Sequence, residues 1–211
     1  MIAAQTAGVP VAWLVARAAG LVGFGLLTVA VTLGLALSTR LLGNKRGKTL
    51  LGWHQTLMWT ALAMLVLHGG ALALDPIMRF GIVGVLVPGA APWRPVPVAA
   101  GILTAWIMLA LAASFHVRRR IGQRRWRLMH YASFAGFAIG LYHALNVGTD
   151  LTGTRGLIFG GIVAAPVLWL VYARILLPRP GVRKAPARTA PPAPSTSVAQ
   201  SREESRPLVP A

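Results

Sequence analysis

The chain has 211 residues, of which 55% are hydrophobic and only 12% charged, and its mean hydropathy is +0.64. That composition excludes a water-soluble domain of this size, in which about a quarter of the residues carry charge. A formal charge of +17 raises nucleic acid as a partner, but the basic residues gather at the ends of apolar stretches, so lipid is the expected partner and nucleic acid is not. The chain contains no cysteine, so a disulfide, a thiolate-bound iron–sulfur cluster and a haem attached through C-x-x-C-H are all excluded.

Five stretches reach the roughly 20 apolar residues that a helix needs to cross a bilayer core. They lie near 18–38, 50–74, 96–117, 126–147 and 157–177. The first follows Trp13 and Arg17. The N-terminus has no basic leader segment, which predicts an uncleaved first span. Arg17 reads either as a snorkelling anchor or as a partner for a cofactor carboxylate.

The basic residues lie mainly on one side. Arg40, Lys45, Arg46 and Lys48 fill the first connection, Arg118, Arg119, Arg120, Arg124, Arg125 and Arg127 fill the third, and Arg174, Arg179, Arg183, Lys184 and Arg188 follow the last span. Only Arg17, Arg79, Arg94 and Arg155 lie opposite. The positive-inside rule therefore places the N-terminus outside and the C-terminus in the cytoplasm, in a multi-pass protein of the cytoplasmic membrane. The fold class expected is an all-α, polytopic membrane helix bundle of five spans.

The connections carry their own signals. GNKRGKT at 43–49 resembles a phosphate-binding loop but is one residue short and follows a membrane helix, so a basic turn against anionic headgroups is the better reading. After Asp75, Pro76, Pro88, Pro92 and Pro95 break an apolar segment that lies along the outer interface or dips back as a cap. Pro166 offers a kink to the fifth span. Residues 1–177 form the membrane domain, and 178–211, rich in Pro, Ala, Ser and Arg, form a disordered basic cytoplasmic tail.

Four histidines lie inside the second and fourth spans. His54 and His68 are fourteen residues apart; His130 and His143 are thirteen apart. At about 1.5 Å per residue these separations come to roughly 21 and 19.5 Å, so two helices running the same way bring His54 level with His130 and His68 level with His143. An imidazole in a bilayer is costly without a partner, and four of them in matched pairs point to two sites, each able to hold one iron axially. The expected cofactors are two non-covalent b-type haems, the inner iron on His54 and His130 and the outer on His68 and His143. Zinc wants four converging ligands, which pairs about 20 Å apart do not give.

Helical phase fits unevenly. Fourteen residues return to within roughly 40° of the same face, whereas thirteen miss by roughly 140°, so the second helix must deviate between its histidines. Gly136 and Gly140 lie there, and they serve either that deviation, a porphyrin seat or helix packing; Gly69 and Gly70 raise the same question. Met58, Trp59, Phe134 and Phe137 fall between the two levels, where ordinary packing is the simpler reading and electron relay the alternative. His116 stands apart, as an interfacial polar residue. The arginines beside it are chiefly topology signals, though one or two can pair with propionates. Asp75 and Asp150 each follow an outer histidine by seven and read as helix-ending turns or as a small acidic feature on the outer face.

The histidine pairs, H-x13-H and H-x12-H, together with the basic entry RRRIGQRRWRLMH, resemble the ferric reductase-like transmembrane domain family. That family includes the haem domains of NADPH oxidases, ferric reductases and the haem subunit of the methionine sulfoxide reductase system. GTD at 148–150 and VPGAAPWRP at 87–95 look like its small actinobacterial members. The resemblance covers about 15–177 and implies electron transfer from a cytoplasmic donor to an outer acceptor. Many members add a flavin and nicotinamide domain, but this sequence has no G-x-G-x-x-G, and many have six spans. An oxidoreductase subunit reduced by a separate flavoprotein or by a quinol is therefore expected. Two rivals remain at this stage: a quinol-oxidising cytochrome b subunit, and a haem-free scaffold or proton pathway using the histidines as relay groups.

Overall fold

A computed structural model of the chain describes residues 11–39, 47–148, 151 and 153–176. The basic residues 40–46, Asp150 and the expected tail at 178–211 lie outside them. Among the described residues seven helices follow in order: α1 (Val11–Thr39), α2 (Gly47–Leu74), α3 (Gly81–Leu86), α4 (Pro95–Ile121), α5 (Gln123–His130), α6 (Ala132–Val147) and α7 (Gly153–Leu176). No strand occurs among the described residues.

Four of the helices, α1, α2, α4 and α7, are long and apolar enough to cross a membrane. They are apolar all round, as a helix is when lipid takes the place of water on its outer face. Large apolar side chains on those outer faces stay uncovered, among them Val66, Leu157, Ile162 and Ile175. Where the sequence predicts the fourth of its five spans, at 126–147, the chain forms two helices instead. The eight-residue α5 and the sixteen-residue α6 meet at Tyr131.

That junction tightens the backbone. The Tyr131 amide donates to the Leu128 carbonyl and the Phe134 amide to Tyr131, both steps of three where an α-helix uses four. The deviation required between His130 and His143 is thus made beside His130, and Gly136 and Gly140 have another task. A Cβ on Gly136 would lie 2.4 Å from Met108 Cε, and one on Gly140 would lie 3.2 Å from Thr104 Cγ2, so the pair is where α6 closes on α4. The Thr104 hydroxyl donates across this contact to the Gly136 carbonyl at 3.2 Å.

The connections follow local chemistry. α4 opens on Pro95, whose missing amide is no loss in a first turn, and closes at Gly122, whose φ of 85° suits glycine. Only Gly122 separates α4 from α5, so the expected basic loop is almost wholly helical. Asp75 is 3% exposed and its Oδ1 accepts the amides of Ile77 and Met78, so it ends α2 as a turn residue and presents no acidic surface. α7 continues through Pro166 without a break in its assignment.

α1 packs along α2, α4 along α6, and α1 also meets α6 and α7. Leu27, Val31, Leu62, Met108, Phe137, Val163 and Val167 form the central core. A second cluster of Phe80, Ala91, Val98 and Ile102 seats α3 and the Pro-rich segment over one end of the bundle, with Leu72, Met78, Trp93 and Val147 against it. The segment after Asp75 is therefore a cap held by packing, fastened by the Trp106 indole donating to the Leu86 carbonyl at 3.0 Å.

Candidate functional site: two facing histidine pairs

Three histidines are seated by one repeated arrangement. The His68 Nδ1–H donates to the Ala16 carbonyl at 2.7 Å, the His54 Nδ1–H to Ala30 at 2.8 Å, and the His143 Nδ1–H to Pro97 at 2.8 Å. In each case a glycine stands four residues after the accepting carbonyl and lies against the ring: Gly20 under His68, Gly34 under His54 and Gly101 under His143. A helical side chain leans back toward the N-terminus, over the carbonyl of the preceding turn. Glycine removes that cover, and the ring reaches an oxygen that already accepts one helical bond but has a second lone pair.

The arrangement fixes chemistry as well as position. A carbonyl can only accept, so Nδ1 carries the proton and Nε2 of His54, His68 and His143 carries the lone pair. Imidazoles that ligate metals use this same division of labour, one nitrogen on a backbone carbonyl and the other on the ion.

The pairs then meet. His54 and His130 have ring centroids 6.3 Å apart with planes at 75°; His68 and His143 are 6.2 Å apart with planes at 83°. With a ring nitrogen about 1.1 Å from its centroid and about 2 Å from a metal, two imidazoles on opposite sides of one ion lie about 6.2 Å apart. The observed separations match. α2 and α6 therefore run the same way, and the levels lie roughly 21 Å apart along α2.

A cavity of about 530 Å³ opens beside the 68/143 pair, within the range of small-molecule sites, roughly 300–1,000 Å³. His68, His143, Gly20, Gly101, Gly140 and Phe24 line it, and Gly69 and Gly70 face it with no protein atom near enough to meet a Cβ. Arg17 also lines it, with its guanidinium over the Trp13 ring at 5.6 Å. A flat macrocycle bearing carboxylates suits glycine-smoothed walls, two trans imidazoles and a cation at the rim. The residues present fit haem.

Other candidates fall elsewhere. His116 is exposed and meets Trp59 and Phe115 edge-on, with no ring contact to the other four histidines among the described residues. Arg118 folds onto the Phe115 ring at 3.6 Å and donates to the Phe115 carbonyl. Phe137 is buried and stacks on Phe24 at 5.6 Å, Met58 and Phe134 pack against the same core, and Trp59 is largely exposed. Among the described residues no group of three or more His, Cys, Asp or Glu side chains gathers to hold a metal.

The glycine seats and Phe24 escape a reading based on the histidines alone. A signal for the seats was present: Ala16-x3-Gly20 and Ala30-x3-Gly34 repeat at the same fourteen-residue interval as His54 and His68. Compared with protein-family models, with curated proteins and with solved structures, the chain finds no match.

Proposed function

We propose that this chain conducts single electrons across the cytoplasmic membrane through two non-covalent b-type haems, one held by His54 and His130 and the other by His68 and His143. The observation that carries the proposal is the pair of facing imidazole couples at trans-ligand spacing, three of whose rings are tautomer-locked by backbone carbonyls. Haem held at one level by His54 and His130 and at the other by His68 and His143 would supply a one-electron carrier at each.

The chain's own residues orient, insulate and connect. Ala16, Ala30 and Pro97 hold three imidazoles in one tautomer; Gly20, Gly34 and Gly101 give them room. Met108, Phe24 and Phe137 fill the space between the levels with apolar side chains that exclude water. Arg17 serves the rim of the 68/143 site as a carboxylate partner. The cap of Met78, Phe80 and Trp93 shields that end.

The same locking argues against a proton relay, which needs an imidazole to exchange protons at both nitrogens. Topology follows from charge: α5 and α6 together make the fourth of five crossings, α6 by itself spanning about 24 Å of a core near 30 Å thick. With the arginines of α4 and α5 in the cytoplasm, the 54/130 level faces inward, toward a separate flavoprotein or a quinol as donor, and the 68/143 level faces the outer acceptor. The ferric reductase-like family remains the resemblance that suits this reading.

The test is an absorption spectrum of purified protein, oxidised and reduced, with haem counted per chain. Two haems are expected, one lost on His68→Ala or His143→Ala and the other perturbed by His54→Ala or His130→Ala. Colourless protein after expression with ample haem would overturn the proposal.

A further inference from the structure

The four histidines are not held alike. His54, His68 and His143 each have a carbonyl and a glycine on a neighbouring helix; among the described residues His130 has neither. Its ring stacks on Trp126, one turn earlier in the same short helix, at 5.1 Å and 23°. It is the last residue of the eight-residue α5, immediately before the junction at Tyr131.

Register explains the difference. Pro97 and Gly101 on α4 serve His143, and fourteen residues further along, the interval that returns to nearly the same face of a regular helix, stand Leu111 and Phe115. Phe115 stands where the other three seats have glycine, and its ring meets Trp126, which stacks on His130. The corresponding Leu111 carbonyl already accepts the Ser114 hydroxyl at 2.7 Å. A side chain at that position covers the carbonyl of the preceding turn, so the fourth seat is closed to an imidazole.

We propose that the 54/130 level is an exchangeable site: His130 yields its place on iron to a small uncharged ligand such as carbon monoxide, while the 68/143 level stays closed. The inference rests on the haem reading above. Losing the partner that orients a ligating imidazole typically weakens metal binding about 10–100-fold, and His130 lacks that partner in the native chain. The exchange breaks one iron–nitrogen bond and forms one iron–carbon bond without change of oxidation state, and His130 keeps its ring proton. The inner level thereby becomes a place where small molecules can interrupt electron entry.

The experiment uses the full chain in detergent, haem counted, reduced with dithionite and titrated with carbon monoxide. The wild type should bind one carbon monoxide per two haems. In His130→Ala the stoichiometry should remain one per chain, with association at least tenfold faster because no imidazole has to leave first. Should that variant retain only one haem, it should bind none. Two haems with no carbon monoxide in the wild type would overturn the inference and leave the haem reading standing. Two carbon monoxides in the two-haem His130→Ala protein, or one in a protein left with a single haem, would place the exchange at 68/143 and overturn it as well. Colourless protein would remove both proposals together.

Discussion

Gly101→Ala tests the seat of His143 most directly. A Cβ built on Gly101 would lie 2.5 Å from His143 Nδ1, 2.6 Å from Cε1 and 2.9 Å from Cγ. Ordinary contact needs about 3.5 Å, so the ring must move by about 1 Å, and the 2.8 Å bond to the Pro97 carbonyl is lost. Loss of an orienting partner lowers metal affinity about 10–100-fold, or about 1.4–2.7 kcal/mol. The helix itself gains, since alanine is about 1 kcal/mol better than glycine in a helix interior, so the fold should survive. Haem titration of the apo-protein in detergent should show one of two sites weakened by that factor. Gly25→Ala, whose Cβ meets nothing within 4 Å, is the control. Gly34→Ala should fall between them, because its Cβ would approach His54 Cε1 to only 3.3 Å. Equal affinity in Gly101→Ala and Gly25→Ala would refute the idea that glycine unmasks the anchoring carbonyl.

Three further outcomes follow from particular contacts. Arg174 donates to the Tyr131 hydroxyl at 2.9 Å, and Tyr131 is the junction beside His130. Tyr131→Phe should therefore speed carbon monoxide binding at the inner level and leave the spectrum of the outer level unchanged; a shift at the outer level alone would contradict this. Gly156→Ala places a Cβ 2.2 Å from the Leu151 carbonyl oxygen, a backbone atom that cannot swing aside, and should destabilise the protein by about 2 kcal/mol or more in thermal melts. Gly136→Ala meets mainly the flexible end of Met108 and should cost less, so the reverse order would count against the packing described. Asp75→Ala removes the acceptor for the Ile77 and Met78 amides and should cost about 1 kcal/mol, with faster hydrogen exchange across the cap at 76–94. Asp75→Asn keeps that acceptor and should exchange at the wild-type rate.

The facing of His54 with His130 and of His68 with His143 was legible because intervals along a helix translate directly into depth. Phase was legible too, as a misfit: thirteen residues cannot return to one face of a regular helix. Where the misfit would be absorbed was not, since Gly136 and Gly140 are the residues that tolerate distortion, yet the chain tightens at Tyr131 instead. Packing decides this. Met108, Ile107 and Thr104 of α4 already occupy the grooves above both glycines, so α6 has to stay regular there.

Composition and the period of the helix by themselves determined an apolar, helical, membrane-crossing chain and two depths at which histidines recur, although they gave five spans where four helices are long and apolar enough. Both are local properties, set by side-chain solubility and by a rise per residue that no neighbour alters. Tertiary structure alone decided which carbonyl each imidazole meets, that Asp75 is a buried turn residue, and that His130 is left without a seat. Those depend on which residue of a second helix stands opposite, and in α4 that residue is Phe115 in place of glycine.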